Sequence, residues 1–239
     1  MDTIKIKHAG TKMIAHRGLS GLECENTCAA FVAAGNRDYF GIETDVHKTA
    51  DGKYIIIHDD ETNRVAAENW NVENTEFNKL RSIQLLDKDG ISRGDLCLPT
   101  LSEYLRICKR YNKIAVLELK NPFQKQDVQS IVQMIKQTYN IRQLIFISLD
   151  YQTLVFLREL EPEAIIQFLC FCEIDAALIE KLKRFGFDLD IYFERLNPEN
   201  IKLLHSHGIK INCWTVDDQI AAERLAAAGV DYITTNILQ

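Results

Sequence analysis

The feature that most constrains the fold is a regular alternation of short apolar segments with amphipathic segments along the 239-residue chain. Short apolar runs are typical of buried strands, whereas apolar residues spaced by three and four positions indicate helices. The predicted strands are residues 12–16, 40–46, 114–119, 144–148, 164–169, 188–192, 210–214 and 232–235. Because helical segments separate them, they predict an α/β fold, a (β/α)₈ barrel of the TIM type.

Two features depart from the simplest barrel. Residues of about 60–98 are polar and irregular, and we interpret them as a small insertion after the second strand, within a single catalytic domain over residues 1–239. The chain ends four residues after the eighth strand, so an eighth outer helix is missing and closure of the barrel is left open. A doubly wound open sheet is the alternative, but no Gly-x-Gly-x-x-Gly loop follows any predicted strand.

Charge and composition narrow the range of partners. The net charge is −6 and 26% of the residues are charged, so no basic field is available for nucleic acid or an anionic membrane. No apolar run approaches the roughly 20 residues that span a bilayer, and the N-terminus lacks the apolar core of a signal peptide. The seven cysteines are scattered, as reduced thiols usually are. We therefore expect a cytoplasmic protein with a small-molecule substrate and no stable membrane insertion; a homo-oligomer is left open.

The stretch 41–59 holds the most informative residues. An Asp-Gly turn joins the second strand to a short hairpin extension. Glu43 and Asp45 lie two residues apart, which places both carboxylates on one face of the strand. Burying two carboxylates is costly unless a cation balances them, and His58 follows the extension directly. The stretch predicts a metal site beside a proton-transfer group, with a hairpin carrying surface charges as the alternative.

Further polar residues stand at the carboxyl ends of the predicted strands, which is where a TIM barrel carries its active site. His16 and Arg17 end the first strand, Glu118 and Lys120 lie two apart at the end of the third, and Trp214 ends the seventh. We expect these side chains to meet those of the 41–59 stretch at one rim. An ion pair of purely structural role between Lys120 and Glu118, and a core position for Trp214, are the alternatives.

The residue types at this rim fit phosphodiester cleavage. Glu43, Asp45 and Glu118 offer only hard oxygen ligands, which favours Mg²⁺ or Ca²⁺ over zinc. His16 and His58 are the candidate general acid and general base, because imidazole titrates near neutral pH.

Three other side chains would bind the substrate. Arg17 can grip phosphate oxygens in a bidentate fashion and Lys120 can act as a point charge, while Trp214 offers an apolar wall. The neighbouring polar residues are given lesser roles: His47 outside direct catalysis, Glu25 and Asn26 at the loop and helix start with Asn26 as a candidate cap, and Asp59 and Asp60 as loop carboxylates.

Several motifs resemble the glycerophosphodiester phosphodiesterase family. They cover most of the chain and are most specific in its first half: Ile14-Ala15-His16-Arg17-Gly18, Glu25-Asn26-Thr27, Gly41-Ile42-Glu43-Thr44-Asp45-Val46, Thr49-Ala50-Asp51-Gly52 and His58-Asp59, followed by Arg64, Leu98-Pro99-Thr100-Leu101, Leu117-Glu118-Leu119-Lys120, Trp214-Thr215-Val216 and Gly229-Val230-Asp231. The chain departs from the family pattern at Cys24, where proline is usual, and at Asn236, where an aspartate is common.

The resemblance implies a TIM-type barrel that hydrolyses glycerophosphodiesters to glycerol 3-phosphate and an alcohol. It implies that His16 and His58 are the acid/base pair, that Glu43, Asp45 and Glu118 bind a divalent metal, and that the segment after His58 is an insertion over the pocket. Phosphate scavenging and lipid turnover both fit such an activity.

Two other functions remain open for the same site. A lysophospholipase D-like or related phospholipid phosphodiesterase would need an apolar, membrane-facing surface, yet the apolar residues of the 60–98 insertion are scattered. A catalytically silent barrel that binds phosphodiesters would lack acid, base or metal ligands, and all of these are present. A soluble glycerophosphodiester is therefore the favoured substrate.

Overall fold

The computed structural model describes residues 2–239, and the strands and helices in that range alternate as the sequence predicts. The strands are β1 (Lys12–Ala15), β2 (Gly41–Lys48), β3 (Tyr54–Ile56), β4 (Ile114–Leu119), β5 (Leu144–Ser148), β6 (Ile165–Cys170), β7 (Asp188–Tyr192), β8 (Ile211–Trp214) and β9 (Tyr232–Thr235). The helices are α1 (Cys28–Gly35), α2 (Phe77–Arg81), α3 (Leu101–Arg110), α4 (Lys125–Thr138), α5 (Tyr151–Leu160), α6 (Ala176–Phe185), α7 (Pro198–Ser206) and α8 (Gln219–Ala228).

Eight of the strands form a closed parallel barrel, because β1 pairs with β2 on one side and with β9 on the other. Around the ring, β2 pairs with β4, and β4 to β9 follow in chain order. β3 lies outside the ring and pairs antiparallel with the end of β2, with Val46 opposite Ile56. The prediction of a TIM-type barrel is confirmed, and the open sheet is excluded. That residues 1–239 act as one catalytic domain stays a prediction.

Among residues 2–239 the barrel closes without an eighth outer helix, since β1 and β9 pair directly. After β9 the chain runs beside the N-terminal segment, where the amide of Ile4 donates to the carbonyl oxygen of Ile237 at 3.1 Å. The amide of Gln239 donates back to the carbonyl oxygen of Ile4 at 2.8 Å. Leu238 is fully buried in the main core. The sequence leaves open how the barrel is completed after its eighth strand. In the structure, the residues after β9 pair with the N-terminal segment.

The alternation of side chains along each strand decides which residues face the barrel axis. Outward-facing residues such as Ile42 and Leu117 pack in the main core with residues of the surrounding helices. Inward-facing apolar residues form a separate cluster: Ile14, Val116, Ile145, Ile147, Leu169 and Tyr232. Residues two positions further along a strand share this inward face, so His16 follows Ile14 and Glu118 follows Val116. The apolar cluster thus forms a floor beneath polar residues at the carboxyl ends of the strands.

Threonine caps set the starts of two helices near the site. α1 begins at Cys28 rather than at the predicted Asn26, because the hydroxyl of Thr27 accepts a hydrogen bond from the amide of Ala30 at 3.2 Å and caps the helix. The prediction that Asn26 is the cap is therefore wrong. α3 is capped by Thr100 in a reciprocal capping box with Glu103.

The insertion between β3 and α3 has a small core of its own. Ile55 and Ile57 pack there against apolar residues of the insertion, which are Ala66, Val72, Leu80, Ile83, Leu85, Leu96 and Leu98. Apolar residues that are scattered in the sequence are therefore gathered inside the insertion. Within residues 2–239, none of the helices has the length and apolar character needed to cross a bilayer.

Candidate active site

A pocket at the carboxyl ends of the barrel strands gathers the residues that the sequence predicts for the site. It encloses about 130 Å³. Seven of the eight predicted residues line it, namely His16, Arg17, Glu43, His58, Glu118, Lys120 and Trp214. The eighth, Asp45, is buried against Arg17 and Lys120. The structure therefore places the whole predicted set in one location.

Three carboxylates form a buried acidic cluster at the pocket. β2 presents Glu43 and Asp45 on its inner face, and the parallel pairing of β2 with β4 sets Glu118 opposite Asp45. Glu43, Asp45 and Glu118 are only 3%, 1% and 6% exposed, and an oxygen from each lies within 4.8 Å of the others. Such a cluster suggests a divalent-metal site, since hard oxygen ligands at this spacing suit a small divalent cation.

The charges of the cluster are not balanced by protein cations alone. Burial, together with the negative charges of its neighbours, raises the pKa of Glu43 well above its usual range. Burial and the charge of Asp45 raise the pKa of Glu118 to about 7. Burial also opposes ionisation of Asp45, but Lys120 and Arg17 outweigh it and hold the pKa of Asp45 below its usual range. Two of three carboxyl groups thus resist ionisation, and a bound divalent cation would relieve this repulsion.

Arg17 and Lys120 are the two cations that touch the cluster. The ammonium group of Lys120 lies 2.9 Å from Oε1 of Glu118 and 3.5 Å from Oδ1 of Asp45. Arg17 has a positive φ of 53° after β1, and its backbone amide donates to Oε2 of Glu43 at 2.8 Å. Its Nε is 3.7 Å from Oδ2 of Asp45 and has no hydrogen-bond acceptor among residues 2–239. This buried N–H is available to an anionic ligand in the pocket.

The first histidine of the site is held by a neutral partner. Nδ1 of His16 lies 2.8 Å from Oδ1 of Asn236. The hydroxyl of Ser20 donates to the same Oδ1, and the amide nitrogen of Asn236 donates to Asp217, which fixes the orientation of the amide group. Nδ1 of His16 is therefore the protonated ring nitrogen and Nε2 carries the lone pair. Burial and the charge of Arg17 lower the pKa of His16 to about 4.

The second histidine is held by a carboxylate. Nδ1 of His58 lies 2.6 Å from Oδ1 of Asp59. Burial, with the charges of Arg17 and Lys120, lowers the pKa of His58, while Asp45 and Asp59 act in the opposite direction. Asp59 is thus more than the loop carboxylate that the sequence predicts, because it orients the ring and favours its protonated form.

Behind His58, ion pairs connect the histidine to Arg17. Asp59 accepts a hydrogen bond from Nε of Arg64. The two terminal nitrogens of Arg64 donate to both oxygens of Glu25, at 2.6 and 2.8 Å, and Glu25 also accepts from Arg17 at 2.8 Å. Glu25 therefore does more than organise a loop, since it links Arg64 of the insertion to Arg17, the candidate phosphate-binding residue.

Two buried residues support the site from beneath. Asn26 donates from Nδ2 to Oδ2 of Asp45 at 2.7 Å and accepts from the hydroxyl of Thr44 at 2.7 Å. It therefore holds one of the acidic ligands in place. Nε2 of His47 lies 3.1 Å from the carbonyl oxygen of His58, so His47 supports the backbone of that histidine.

The pocket has two chemically different sides. We call the groups from β1, β2, β4 and the segment after β3 the charged side: His16, Arg17, Glu43, Asp45, His58, Glu118 and Lys120. We call the groups from β5, β6 and β8 the apolar side: Ile147, Leu149, Leu169, Phe171 and Trp214. The rings of Phe171 and Trp214 meet edge to face with centroids 4.9 Å apart, and Leu149 and Phe171 are 45% and 56% exposed. Trp214 thus lies on the pocket wall that the sequence predicts.

Comparison with known proteins identifies the family. The model of the Glycerophosphoryl diester phosphodiesterase family matches residues 16–238. The chain belongs to this family. It is 31% identical over 231 residues to the Bacillus subtilis protein YhdW, covering 94% of this chain and 93% of that protein. It is 28% identical over 229 residues to a glycerophosphodiester phosphodiesterase of Caldanaerobacter subterraneus, covering 95% and 94%.

Solved structures agree with this assignment. A phosphodiesterase of Oleispira antarctica, in complex with the product sn-glycerol 3-phosphate, is 25% identical and superposes with a TM-score of 0.86 over 94% of this chain and 92% of that one. A glycerophosphodiester phosphodiesterase of Parabacteroides distasonis is 28% identical with a TM-score of 0.80, covering 95% and 93%. The family resemblance seen in the sequence motifs is confirmed.

One ionisable residue that lines the pocket has no place in the sequence prediction. Asp190 of β7 lines the pocket and is 1% exposed, and burial together with the charge of Glu118 raises its pKa well above the usual range. A signal for it exists in the sequence, because Asp188 and Asp190 alternate with apolar residues in β7 and so share the inward face.

Proposed function

We propose that this protein hydrolyses glycerophosphodiesters to glycerol 3-phosphate and an alcohol, with Mg²⁺ or Ca²⁺ as its cofactor. The observation that carries the proposal is the meeting of a buried triple-carboxylate cluster, two histidines and two cations in one pocket. Family membership supports the reaction class, and the Oleispira antarctica relative with sn-glycerol 3-phosphate bound supports the product.

Glu43, Asp45 and Glu118 would hold the cation. Bound there, a divalent cation supplies charge neutralisation for the phosphate and for the transition state. Arg17 directs its unpartnered Nε–H to one phosphate oxygen, and Lys120 balances a second as a point charge. These contacts hold the phosphorus atom between the two histidines.

The two histidines divide the proton transfers according to their partners. His16 is neutral at neutral pH and presents the lone pair of Nε2, so it accepts the proton of the nucleophile. His58 donates its Nε2 proton to the alkoxide that leaves as the P–O bond to the alcohol breaks, and Asp59 stabilises the protonated ring before that step. The nucleophile is either water, or the glycerol hydroxyl of the substrate followed by opening of a cyclic phosphate by water.

The apolar side of the pocket favours one second candidate, a lysophospholipase D-like activity. The sequence offers no apolar face in the insertion, but Leu149 and Phe171 expose apolar surface at the pocket mouth. An acyl chain could lie on that surface. The ratio of rates on glycerophosphocholine and lysophosphatidylcholine separates the two activities, and we expect the deacylated substrate to be faster.

A glycerol 3-phosphate-coupled assay tests the main proposal. The substrates are glycerophosphocholine and glycerophosphoethanolamine, each with added Mg²⁺, Ca²⁺ or Mn²⁺. We expect release of glycerol 3-phosphate that excess EDTA abolishes and that added metal restores. Full activity in excess EDTA would refute the metal-dependent mechanism. Binding of substrate without turnover at any of the three metals would instead support a silent phosphodiester-binding barrel.

A further inference from the structure

Asp190 is a buried carboxyl group that faces the pocket without a protein partner. It lies on the inner face of β7 and is 1% exposed. Its Oδ1 has no hydrogen-bond donor within the part of the chain that the structure describes. The reaction described above leaves Asp190 without a role, since it belongs neither to the histidine pair nor to the acidic cluster.

The neighbours of Asp190 explain why it stays unpartnered. On one side, β6 sets the apolar Leu169 opposite it, and on the other, β8 sets Asn212 opposite it. Asn212 forms its hydrogen bonds elsewhere: its amide nitrogen donates to Gln167 at 3.3 Å and its oxygen accepts from the hydroxyl of Thr234 at 3.1 Å. The side of Asp190 that remains open is the pocket itself.

A buried polar atom without a partner destabilises a folded protein, and such atoms are rare outside functional sites. A ligand group that hydrogen-bonds Asp190 would remove this cost when it binds. With the phosphate held on the charged side, the remaining hydrogen-bonding groups of a glycerophosphate unit are its hydroxyls. Asp190 does not belong to the set of carboxylates whose oxygens lie within 4.8 Å of one another, so a hydroxyl fits it better than the metal does.

We propose that Asp190 hydrogen-bonds the terminal glycerol hydroxyl of the substrate, which takes no part in the cyclic-phosphate route. This contact makes the site selective for phosphodiesters of glycerol over those of alcohols that lack the terminal hydroxyl. The proposal rests on the proposed function. Asp190 is a specificity-determining residue in this account, because its contact is with the part of the substrate that stays on the phosphate.

The test compares two substrates that differ only in the terminal hydroxyl, glycerophosphocholine and 2-hydroxypropylphosphocholine. Both keep the hydroxyl next to the ester carbon, which is the nucleophile of the cyclic-phosphate route. The wild type should prefer the glycerol diester by about 10–100-fold in kcat/KM, because a site built to hydrogen-bond a hydroxyl discriminates against its absence. Asp190→Leu should lose most of this preference while its rate on 2-hydroxypropylphosphocholine stays within about threefold of the wild type. Asp190→Asn should keep part of the preference, since an amide still forms a hydrogen bond.

Asp188→Asn is the matched control. Asp188 lies on the same strand, and its Oδ1 accepts from the amide of Lys210 at 2.9 Å, an acceptor that asparagine keeps, so the preference should not change. An equal loss on both substrates in Asp190→Leu would show a structural or general catalytic role and overturn the proposal. An undiminished preference in that variant would overturn it as well.

A binding measurement separates this proposal from the reaction itself. Calorimetric titration compares glycerol 3-phosphate with propyl phosphate, and neither ligand has to be turned over. Tighter binding of glycerol 3-phosphate that Asp190→Asn weakens supports the assignment even if the wild type hydrolyses no diester, in which case the proposed function alone fails. Equal affinity of the wild type for both ligands overturns the assignment, and this result holds even if Asp190→Leu does not fold.

Discussion

The charged side and the apolar side of the pocket are both formed by side chains at the carboxyl ends of the barrel strands, but they differ in how those side chains are held. On the charged side, nearly every polar group has a protein partner: Asn26 holds Asp45, Asp59 holds His58 and Asn236 holds His16. On the apolar side, Leu149 and Phe171 expose apolar surface at the pocket mouth. The difference indicates that protein hydrogen bonds fix the groups of the charged side in place for charge binding and proton transfer. The apolar side offers the substrate an apolar surface instead.

Asp190 lies on β7, between the apolar contributions of β6 and β8. It lacks partners like those that Asn26, Asp59 and Asn236 provide for Asp45, His58 and His16 on the charged side. Burial alone therefore does not identify a catalytic residue. The hydrogen-bond partners around a buried polar group distinguish a catalytic residue from one that binds the substrate.

The largest effect is expected on the charged side, from loss of a histidine. His16→Ala should lower kcat by about 10²–10⁴-fold, because the general base for the nucleophile is removed. Steady-state kinetics on glycerophosphocholine measures the loss. His207→Ala, at an exposed position just after α7, is the control and should retain full activity. A kcat for His16→Ala within threefold of that control would show that His16 takes no part in proton transfer.

A smaller effect is expected from the carboxylate that supports the other histidine. Asp59→Asn should lower kcat/KM by about 10–100-fold, because the hydrogen bond to Asp59 raises the pKa of His58 and orients its ring. Without that carboxylate the pKa of His58 falls, so the protonated acid is lost at lower pH. The alkaline limb of the profile of kcat/KM against pH should therefore move to lower pH.

Asp60→Asn is the matched control for that change, since Asp60 is the exposed neighbour of Asp59 and contacts Asn121 instead. An unchanged alkaline limb in Asp59→Asn would mean that His58 is not the group that titrates there.

The environment of His16 should also be visible in stability. Its pKa is about 4 in the folded protein and ordinary in the unfolded chain, so the unfolded state takes up a proton first as pH falls. The free energy of unfolding should therefore decrease between about pH 6.5 and pH 4, by up to about 3 kcal/mol from this group. Urea unfolding of the wild type and His16→Ala at several pH values measures it. The variant should show a flatter profile, and parallel profiles would contradict the assigned pKa.

The smallest effect is expected on the apolar side. Phe171→Ala removes a ring that is 56% exposed, so the melting temperature should hardly change. The value of kcat/KM for glycerophosphocholine should fall only about twofold to fivefold, because an exposed apolar contact contributes little. A much larger loss on lysophosphatidylcholine than on glycerophosphocholine would sharpen the comparison by showing that this surface binds an acyl chain.

Much of the fold and site follows from the sequence because both depend on periodic patterns. Apolar runs define the barrel strands, and spacing of two residues places Glu43 with Asp45 and Glu118 with Lys120 on shared faces. Loop residues carry no such period. The links from Asp59 through Arg64 to Glu25 join segments far apart in the chain and appear only once the insertion is folded.

Other features escape the sequence for different physical reasons. Asn26 and Thr27 are both good helix caps, and only the backbone geometry decides that Thr27 caps α1 and Asn26 turns to Asp45. Asp190 lies between apolar residues of β7, so the sequence alone does not identify it as functional. Only the structure shows that its Oδ1 has no hydrogen-bond partner among residues 2–239. The pairing of Ile4 with the residues after β9 joins segments far apart in the chain, and no local pattern encodes such a contact.

The central claim is that Glu43, Asp45 and Glu118 together bind one divalent cation beside the two histidines. Its most direct test is a crystal structure of the protein grown with Mn²⁺ and measured for anomalous scattering. We predict a single anomalous peak within about 2.0–2.6 Å of one oxygen from each of the three carboxylates. A saturating Mn²⁺ concentration that gives no peak there, or a peak bound by other residues, would contradict the account.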